Sequence, residues 1–232
     1  MDRTITLITG GTGGLGQAVT QAFLQRGDRV IVTWSSERGR DELLQLTQGQ
    51  SVDLTLIPAD VTDEPSVKEL FSTIERDFQR LDNAVHLVGG FAGGPPIAET
   101  SLETFDKMVV MNFKSAFLIV RASAAMMQPQ KSGHIVTVAS RSAVQVAPGI
   151  GVYAASKAAL VALTQALALE LGPVGINANV VLPGTIDTPA NRTAMPDANF
   201  AAWTKPETIA QTILTLCSPA MTGVNGVAIP IS

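Results

Sequence analysis

Cysteine and histidine are scarce in this sequence, and their scarcity excludes whole classes of site. The 232 residues include one cysteine, Cys217, and two histidines, His86 and His134. A single cysteine cannot form an intrachain disulfide or a thiolate metal cluster, so we interpret it as a core residue. The two histidines lie far apart in the sequence without the spacing of metal ligands, so we expect no metal site.

Positive charge is scarce as well. With 16 basic against 20 acidic residues, the chain has a formal net charge of −4, which offers no basic surface for nucleic acid or an anionic membrane. Its N-terminus, "MDRTITLITGG", leads into a strand pattern with no basic flank, long apolar stretch or cleavage site. We therefore expect a cytoplasmic protein that acts on a small-molecule substrate.

Apolar residues, in contrast, are abundant: 46% of the chain is hydrophobic and 16% is charged, enough to bury one large core. Seven β-branched apolar runs without strict polar alternation predict strands that are covered on both faces. These runs are 4–9, 29–34, 53–58, 83–88, 134–140, 177–183 and 226–231. Helical stretches such as "GLGQAVTQAFLQRG", "DEPSVKELFSTIERDF" and "SKAALVALTQALALELG" lie between them.

This alternation predicts the fold class α/β, with a single doubly wound parallel sheet of the Rossmann type over residues 1–232 and helices on both faces. The segment 184–207 lacks clear periodicity and is interpreted as a lid, with Met195 and Trp203 as candidate substrate contacts. The helix from Tyr153 to Leu171 is so apolar that we expect it to be buried on nearly all sides and to form a subunit interface.

A glycine-rich turn, "TGGTGGLG", follows the first strand and opens the first helix. Gly10, Gly14 and Gly16 leave the backbone bare, so that a pyrophosphate can approach the free N–H groups at the helix N-terminus. Thr12 and Leu15 lie in the same turn and join the candidate contacts. Because the turn lies in a βαβ unit, it predicts a dinucleotide site, with an ordinary tight turn as the alternative.

The end of the second strand bears on which dinucleotide binds. Enzymes that prefer the non-phosphorylated cofactor usually have an acid there, which accepts a hydrogen bond from the ribose 2′-hydroxyl. This chain has Trp34, followed by Ser35, Ser36 and Arg38, which can hold a 2′-phosphate through hydrogen bonds and charge. NADP is therefore favoured over NAD, and the neighbouring Glu37 is the residue that weakens the case.

Two residues after the third strand are candidates for the adenine site. Asp60 is placed to accept a hydrogen bond from the adenine amino group, and Val61 is placed to cover the ring. A helix N-cap is the alternative role for Asp60. In the first role both residues contact the dinucleotide, and in the second Asp60 only caps a helix.

Tyr153 and Lys157 lie four residues apart in "VYAASKAAL" and therefore share one face of a helix. A neighbouring ammonium stabilises tyrosinate, so we expect the pKa of Tyr153 to fall below the roughly 10 of a free phenol, as a general acid requires. Ser140 ends the preceding strand, where its hydroxyl can share the substrate oxygen. Asn112 is a poor helix former in mid-helix, which favours a functional role over a surface amide.

These motifs, with "ADVTD" at the adenine site, resemble the short-chain dehydrogenase/reductase family, and the similarity spans the whole chain. The resemblance implies that Tyr153 donates the proton, that Lys157 lowers its pKa and binds the nicotinamide ribose, and that Ser140 orients the reacting group. It also implies that Asn112 supports a proton-relay water. The nicotinamide contacts that it implies in "NVVLPGTIDT" are Pro183, Gly184, the Ile186 backbone and the Thr188 side chain, the last two at the carboxamide.

One stretch departs from the family pattern. Where the family commonly has Asn-Asn-Ala-Gly after the fourth strand, this chain has "HLVG" at 86–89, which keeps the glycine beside the cofactor and loses two amides that tie the sheet together. The continuation "GFAGG" and the later "LPGTIDTPANRTAMPDANFAAWTKP" are similar to the dihydropteridine reductase branch. That likeness implies a floor of glycines beside the nicotinamide, Gly89 and Gly90 among them, and Phe91 as a face on which a flat heterocycle stacks.

Three functional hypotheses follow. The first is an NAD(P)H-dependent reductase of quinonoid dihydropteridine or a similar flat ring. The second is a reductase of ketones or 3-oxoacyl thioesters, which Ser140 supports, because animal members of the dihydropteridine reductase branch lack that serine and carry the acid that Trp34 replaces. The third is a cofactor-sensing protein without catalysis. The family resemblance further implies a homodimer or a homotetramer.

Overall fold

Strands and helices alternate along the chain in the predicted order. The computed structural model describes residues 3–48 and 53–232. The strands are β1 (Ile5–Thr9), β2 (Arg29–Trp34), β3 (Leu54–Pro58), β4 (Asn83–His86), β5 (Gly133–Val138), β6 (Ile176–Pro183) and β7 (Ala228–Ile231). The helices are α1 (Gly14–Arg26), α2 (Glu37–Leu46), α3 (Glu64–Phe78), α4 (Leu102–Val109), α5 (Ser115–Met127), α6 (Gly151–Leu171), α7 (Pro189–Ala194) and α8 (Pro206–Leu216). A π-helical turn, Val110–Lys114, joins α4 to α5.

All seven strands run parallel in one sheet, in the order β3-β2-β1-β4-β5-β6-β7. The first strand is therefore central, between β2 and β4. The direction in which strands are added reverses between β1 and β4, and this reversal opens a crevice at their carboxyl ends where ligands bind in folds of this kind. The predicted doubly wound sheet is confirmed.

Different helices cover the two faces of the sheet. Successive side chains of a strand point to opposite faces, so Leu7 and Ile8 of β1 belong to different cores. Leu7 packs with residues of α3, α5 and the end of α6. Ile8 packs with residues of α1, α2 and α8. Burial on both faces explains why the strands are apolar runs without alternation.

Helix α6 is less enclosed than its sequence predicts. Its buried residues include Lys157, Leu160, Thr164 and Leu167, whereas Leu169 is 81% exposed. The expectation that this helix is buried on nearly all sides is therefore wrong within a single chain. Its predicted role in a subunit interface stays a prediction.

By length and composition alone, two helical stretches, Leu102–Met127 and Gly151–Val174, are apolar enough to cross a membrane. Both contain residues of the core that covers the sheet, contributed by α5 and α6. An apolar helix packed on a sheet passes the same test, so the finding by itself is weak evidence for a membrane span.

Gly16, in the first turn of α1, has no room for a side chain. A Cβ on it would collide with the Gly10 carbonyl oxygen and lie 2.6 Å from the Gly11 backbone. We expect Gly16→Ala to lower the free energy of unfolding by about 1–3 kcal/mol and to weaken dinucleotide binding. Urea unfolding and calorimetric titration with NADPH measure the two effects.

Gly13→Ala is the matched control for this variant. A Cβ on Gly13 meets only the Gly10 carbonyl oxygen, at 3.5 Å, an ordinary contact. Equal losses of stability and binding in the two variants would contradict the steric explanation.

Candidate active site

The carboxyl ends of neighbouring strands bring the predicted site residues together. Gly10 follows β1, Ser140 comes after β5, and Gly184 follows β6. Parallel strands present their carboxyl ends at one edge of the sheet, so these residues lie close despite their distance in sequence. The approach is tight: a Cβ on Gly10 would lie 3.1 Å from the Val88 backbone nitrogen, in the loop after β4.

The predicted dinucleotide turn is compact. Gly10 has a φ of 76°, a conformation that favours glycine, and its carbonyl accepts a hydrogen bond from the Gly13 N–H at 3.1 Å. A Cβ on Gly14 would lie 2.9 Å from Cγ2 of Thr188, so this turn touches the predicted carboxamide contact. Leu15 packs in the core, which leaves only its backbone for the predicted cofactor contact.

A guanidinium that sequence analysis missed covers the ring of Trp34 at the end of β2. Cζ of Arg40 lies 4.9 Å from the ring centroid, and Arg40 also pairs with Asp41 at 2.8 Å. The first turn of α2 brings Arg40 back over the strand end, and only the exact start of that helix reveals this contact. Arg40 therefore places a cation at the end of β2, where enzymes that prefer NAD have an acid.

The other residues predicted at the 2′-phosphate are engaged within α2. Ser36 is the N-cap and accepts from the Gly39 N–H at 3.5 Å, while Arg38 forms an exposed ion pair with Glu42 at 2.7 Å. A Cβ on Gly39 would lie 3.2 Å from Cβ of Thr12, so the start of α2 adjoins the dinucleotide turn. This contact keeps Ser36 and its neighbour in the chain, Ser35, at the predicted adenosine end of the site.

Asp60 turns its carboxylate onto its own loop. Oδ1 accepts hydrogen bonds from the Thr62 hydroxyl at 2.6 Å and the Thr62 N–H at 2.8 Å, and these bonds lower the pKa of Asp60. The N-cap of α3 is Asp63, whose carboxylate accepts from the Ser66 N–H at 3.0 Å, so the alternative role of Asp60 as a cap is wrong. Val61 is buried in the core, and the adenine contacts of both residues stay predictions.

Tyr153 and Ser140 meet between α6 and the end of β5. The Ser140 hydroxyl accepts from the Ser142 N–H at 3.1 Å and lies close enough to Tyr153 to act on the phenol. Burial raises the pKa of Tyr153 above that of a free phenol, and the Ser140 hydroxyl opposes the rise. The predicted fall of this pKa through the charge of Lys157 is therefore wrong in this structure.

Lys157 is buried, and its ammonium is directed at the backbone of β5. Nζ donates to the Val138 carbonyl at 3.0 Å. A Cβ on Gly89 would lie 2.9 Å from the same Nζ. Burial lowers the pKa of Lys157 to about 8, so the ammonium is mostly protonated at neutral pH. Within the described residues this carbonyl is the hydrogen-bond partner of Nζ, and burial and Ser140, rather than Lys157, are the influences on the pKa of Tyr153.

Asn112 lies in the π-helical turn and is fully buried. Its side chain forms a reciprocal pair of hydrogen bonds with Gly90, accepting from the N–H at 2.8 Å and donating to the carbonyl at 3.0 Å. Nδ2 also donates to the Ser156 hydroxyl at 3.0 Å, and Ser156 in turn donates to the Tyr153 carbonyl at 2.7 Å. Asn112 thus connects the loop after β4 to α6, through a serine that sequence analysis missed.

Comparison with known proteins identifies the family of this arrangement. A family model described as "Enoyl-(Acyl carrier protein) reductase" matches residues 10–232. The 3-oxoacyl-[acyl-carrier-protein] reductase FabG of Thermotoga maritima is 31% identical over 239 residues, covering 100% of this chain and 97% of that protein. The chain belongs to the short-chain dehydrogenase/reductase family. It is therefore an NAD(P)-dependent oxidoreductase.

Solved structures resemble this short-chain dehydrogenase/reductase along nearly its whole length. ElxO with NADP bound has a TM-score of 0.94 at 25% identity, covering 99% of this chain and 97% of that chain. A variant of actinorhodin polyketide ketoreductase with NADPH has a TM-score of 0.91 at 26% identity, covering 99% and 95%. These likenesses support the predicted fold and family, while the roles of individual site residues stay predictions.

The two glycine pairs of the 89–94 loop have different packing roles. Gly89 and Gly90 lie against the site: a Cβ on Gly89 would lie 2.7 Å from the Asn112 side-chain oxygen. Gly94 has a φ of 129° and donates its N–H to the Gly149 carbonyl at 2.9 Å. The first pair therefore admits Asn112 and Lys157, and the second joins this loop to the loop before α6.

Phe91 lies between these pairs with 65% of its surface exposed. Its ring centroid is 4.9 Å from that of Tyr153, edge-on at an interplanar angle of 74°. An open aromatic ring therefore adjoins the predicted proton donor, as its assignment to the substrate requires. No other aromatic ring pair within the described ranges includes Tyr153.

His86 replaces an amide of the family pattern and takes over a linking role. Its Nδ1 lies 2.8 Å from the Thr9 hydroxyl and its Nε2 lies 3.2 Å from the Ser115 hydroxyl, which donates to the Met111 carbonyl at 2.6 Å. A hydroxyl has one proton to donate, so Ser115 accepts from Nε2–H and Nδ1 accepts from Thr9. His86 thereby connects β1 to the π-helical turn that holds Asn112.

The predicted lid, residues 184–207, has secondary structure of its own. Helix α7 occupies its first half, and a bridge between Ile186 and Thr204 closes its base. The rings of Phe200 and Trp203 pack at 4.7 Å between centroids, and Met195 is exposed. Closure over a substrate, with Met195 and Trp203 in contact with it, stays a prediction.

Tyr153 is the only tyrosine in the chain, so tyrosinate absorbance reports its titration alone. We expect a midpoint above that of a free phenol, because burial raises the pKa, and a further rise in Ser140→Ala, which removes the opposing hydroxyl. Lys157→Met should shift the midpoint less, because burial and Ser140 are the influences that act on this phenol. Circular dichroism at each pH verifies that the fold persists. A midpoint below that of a tyrosine peptide would disprove the dominance of burial.

Burial lowers the pKa of His86 from 6.5 to about 3. Between these values the unfolded chain binds a proton that the folded chain does not. Stability should therefore fall as the pH drops through this window, by up to about 1.4 kcal/mol per pH unit. We expect His86→Asn to flatten this slope by up to one proton, measured by urea unfolding between about pH 4 and 7. His134 is present in both proteins, so its contribution cancels in the comparison. Equal slopes of stability against pH in the wild-type protein and His86→Asn would refute the prediction.

Proposed function

We propose that this chain is an NADPH-dependent reductase of ketones, a class that includes 3-oxoacyl compounds. The observation that carries the proposal is the position of the Ser140 hydroxyl beside Tyr153, whose pKa it lowers. A ketone oxygen can accept two hydrogen bonds, and these adjacent hydroxyls supply a matching pair of donors. The relatives support the same class, because one is a 3-oxoacyl reductase and one solved neighbour is a polyketide ketoreductase.

Each residue of the site has its own role in the reaction. Reduced nicotinamide, when bound, supplies the hydride. Ser140 orients the substrate oxygen, and Tyr153 transfers its phenolic proton to that oxygen as negative charge develops there. Because burial raises the pKa of Tyr153, the phenol holds its proton at neutral pH and is present as the acid that reduction needs. The buried ammonium of Lys157 adds positive charge beside the same edge of the sheet.

Several features support binding of a phosphorylated dinucleotide. Gly14 and Gly16 let the turn pack closely against Thr188 and the Gly10 carbonyl, and the free N–H groups at the start of α1 suit a pyrophosphate. Arg40 over Trp34 would supply positive charge at the 2′-phosphate, assisted by Ser36. The neighbouring structures of ElxO and the polyketide ketoreductase contain NADP and NADPH, and this supports NADP over NAD for the present chain.

A second candidate is reduction of quinonoid dihydropteridine or a similar flat ring. Its specific support is Phe91, which is largely exposed beside Tyr153 and offers a face for stacking. Two of the similar proteins are a 3-oxoacyl reductase and a polyketide ketoreductase, so the ketone hypothesis has the broader support. A cofactor-sensing protein without catalysis is the third hypothesis, and the Asn112, Ser140, Tyr153 and Lys157 set argues against it.

Oxidation of NADPH and NADH with an acetoacetyl thioester, a diketone and quinonoid dihydropteridine tests these hypotheses. We expect a ketone to be reduced with NADPH in preference to NADH. Tyr153→Phe should lower kcat about 10²- to 10⁴-fold, because the proton donor is lost, and should change NADPH affinity far less.

Two results would overturn the proposal. Turnover of dihydropteridine without turnover of either ketone would select the second candidate. Tight NADPH binding without turnover of any of the three compounds would select the sensor hypothesis.

A further inference from the structure

Arg141 is the residue after Ser140 and begins a short 3₁₀ turn, Arg141–Ala143, between β5 and α6. Its guanidinium lies across Gly184 at the end of β6, where a Cβ on that glycine would be 2.9 Å from Cζ and 3.1 Å from Nε. The side chain is half-buried there. A cationic fork therefore lies over the edge of the sheet, one residue from the serine that lies beside Tyr153.

This guanidinium has no ion-pair or hydrogen-bond partner within residues 3–48 and 53–232. The other arginines in these ranges each pair with a carboxylate, except Arg29, which lies over the ring of Phe78. A half-buried charge loses part of its hydration, and this loss is unfavourable unless a partner compensates for it. Arg141 is thus the one arginine in the described ranges with neither a carboxylate nor an aromatic ring as its partner.

The loops that surround the site provide no free acid for Arg141. Residues 89–96 and 139–150 contain neither aspartate nor glutamate. On the loop after β6, the carboxylate of Asp187 is bonded to Nε of Arg192 at 2.6 Å. Solvent and a counter-ion from outside the chain are therefore the sources of compensation for this charge.

The planar fork of arginine matches the geometry of a carboxylate or a phosphate, to which it binds in a bidentate manner. Val144 and Val146, in the segment that follows Arg141, are 61% and 68% exposed, and Phe91, whose ring adjoins Tyr153, is 65% exposed. A ligand with one anionic end, a carbonyl near that end and an apolar remainder fits these three features.

We propose that Arg141 binds an oxyanion of the substrate, a carboxylate in the first instance, and that the preferred substrate is a small oxo acid. This inference rests on the ketone reductase function proposed above and narrows its substrate class. The reaction balances as hydride addition to the carbonyl carbon from NADPH and proton transfer to its oxygen from Tyr153. Its products are a hydroxy acid and NADP⁺, and solvent returns the proton to Tyr153. The carboxylate is unchanged and serves only to place the carbonyl.

A matched set of ketones tests the assignment. The set consists of 3-oxobutanoate, its methyl ester and 2-oxopropylphosphonate, each assayed with NADPH. We expect kcat/KM to be higher for the acid than for the ester. Arg141→Met should lower the acid-to-ester ratio about ten- to a hundredfold, mainly through KM, because a charged hydrogen-bond donor is lost. Arg141→Lys should lie between, because it keeps the charge and loses the fork.

The phosphonate distinguishes the two sources of an oxyanion. A higher kcat/KM for the phosphonate than for the acid, lost in Arg141→Met, would overturn the carboxylate assignment in favour of a phosphate. Arg76→Met is the charge control, because it removes an exposed arginine paired with Asp77 on α3 and should leave the acid-to-ester ratio unchanged.

Calorimetry separates this inference from the proposed function. With NADP⁺ present, 3-hydroxybutanoate should bind the wild-type protein at least about tenfold more tightly than Arg141→Met.

If no ketone is reduced but this difference is seen, the proposed function fails and the Arg141 site stands. If ketones are reduced with the same acid-to-ester ratio in both proteins, the Arg141 inference fails alone. A loss of NADPH affinity equal to the loss of substrate affinity would assign Arg141 to the dinucleotide and would also overturn it. Arg141→Gln replaces the Met variant if that variant does not fold.

Discussion

Two hydrogen bonds between the Asn112 side chain and the Gly90 backbone hold the functional edge of this protein together. A buried amide needs partners for both its oxygen and its nitrogen, and the peptide of Gly90 supplies one of each. The π-helical turn brings Asn112 to this peptide, and the third bond to Ser156 extends the connection to the helix that carries Tyr153. The loop after β4, the long helix α4–α5 and α6 are therefore fixed relative to one another through one side chain.

These contacts leave little space around the Asn112 side chain, which explains why a glycine occupies position 89. Gly89 lies between the Asn112 side-chain oxygen and the Lys157 ammonium, with no room for a Cβ. His86 connects the same π-helical turn to β1 through Ser115 and Thr9. The replacement of the family's amides by "HLVG" therefore does not untie the sheet, since an imidazole with two hydrogen bonds makes the connection instead.

Burial also decides the charge states of Tyr153 and Lys157, the predicted catalytic pair. It disfavours tyrosinate at Tyr153 and the ammonium at Lys157, so the pKa of the phenol rises, the pKa of the ammonium falls to about 8, and the two values move apart. The Ser140 hydroxyl opposes the effect on Tyr153, whereas the Lys157 ammonium donates to the Val138 carbonyl. Ser140 is thus the neighbour that lowers the pKa of the phenol, and the charge of Lys157 lies beside the backbone of β5.

The amino-acid sequence by itself determined the order of the strands along the chain, the dinucleotide turn and the identity of the Asn112, Ser140, Tyr153 and Lys157 set. Each of these is a local signal, because strands covered on both faces are apolar runs and a tight βα turn needs glycine at fixed positions. Only the tertiary structure decided the partners of long side chains. Helical spacing puts Lys157 on the face of Tyr153, but its flexible stem reaches the Val138 carbonyl, 19 positions away in the chain. The contacts of Arg40 with Trp34 and of Arg141 with Gly184, and the exposed face of α6, likewise depend on how separate elements pack, and no local pattern encodes that packing.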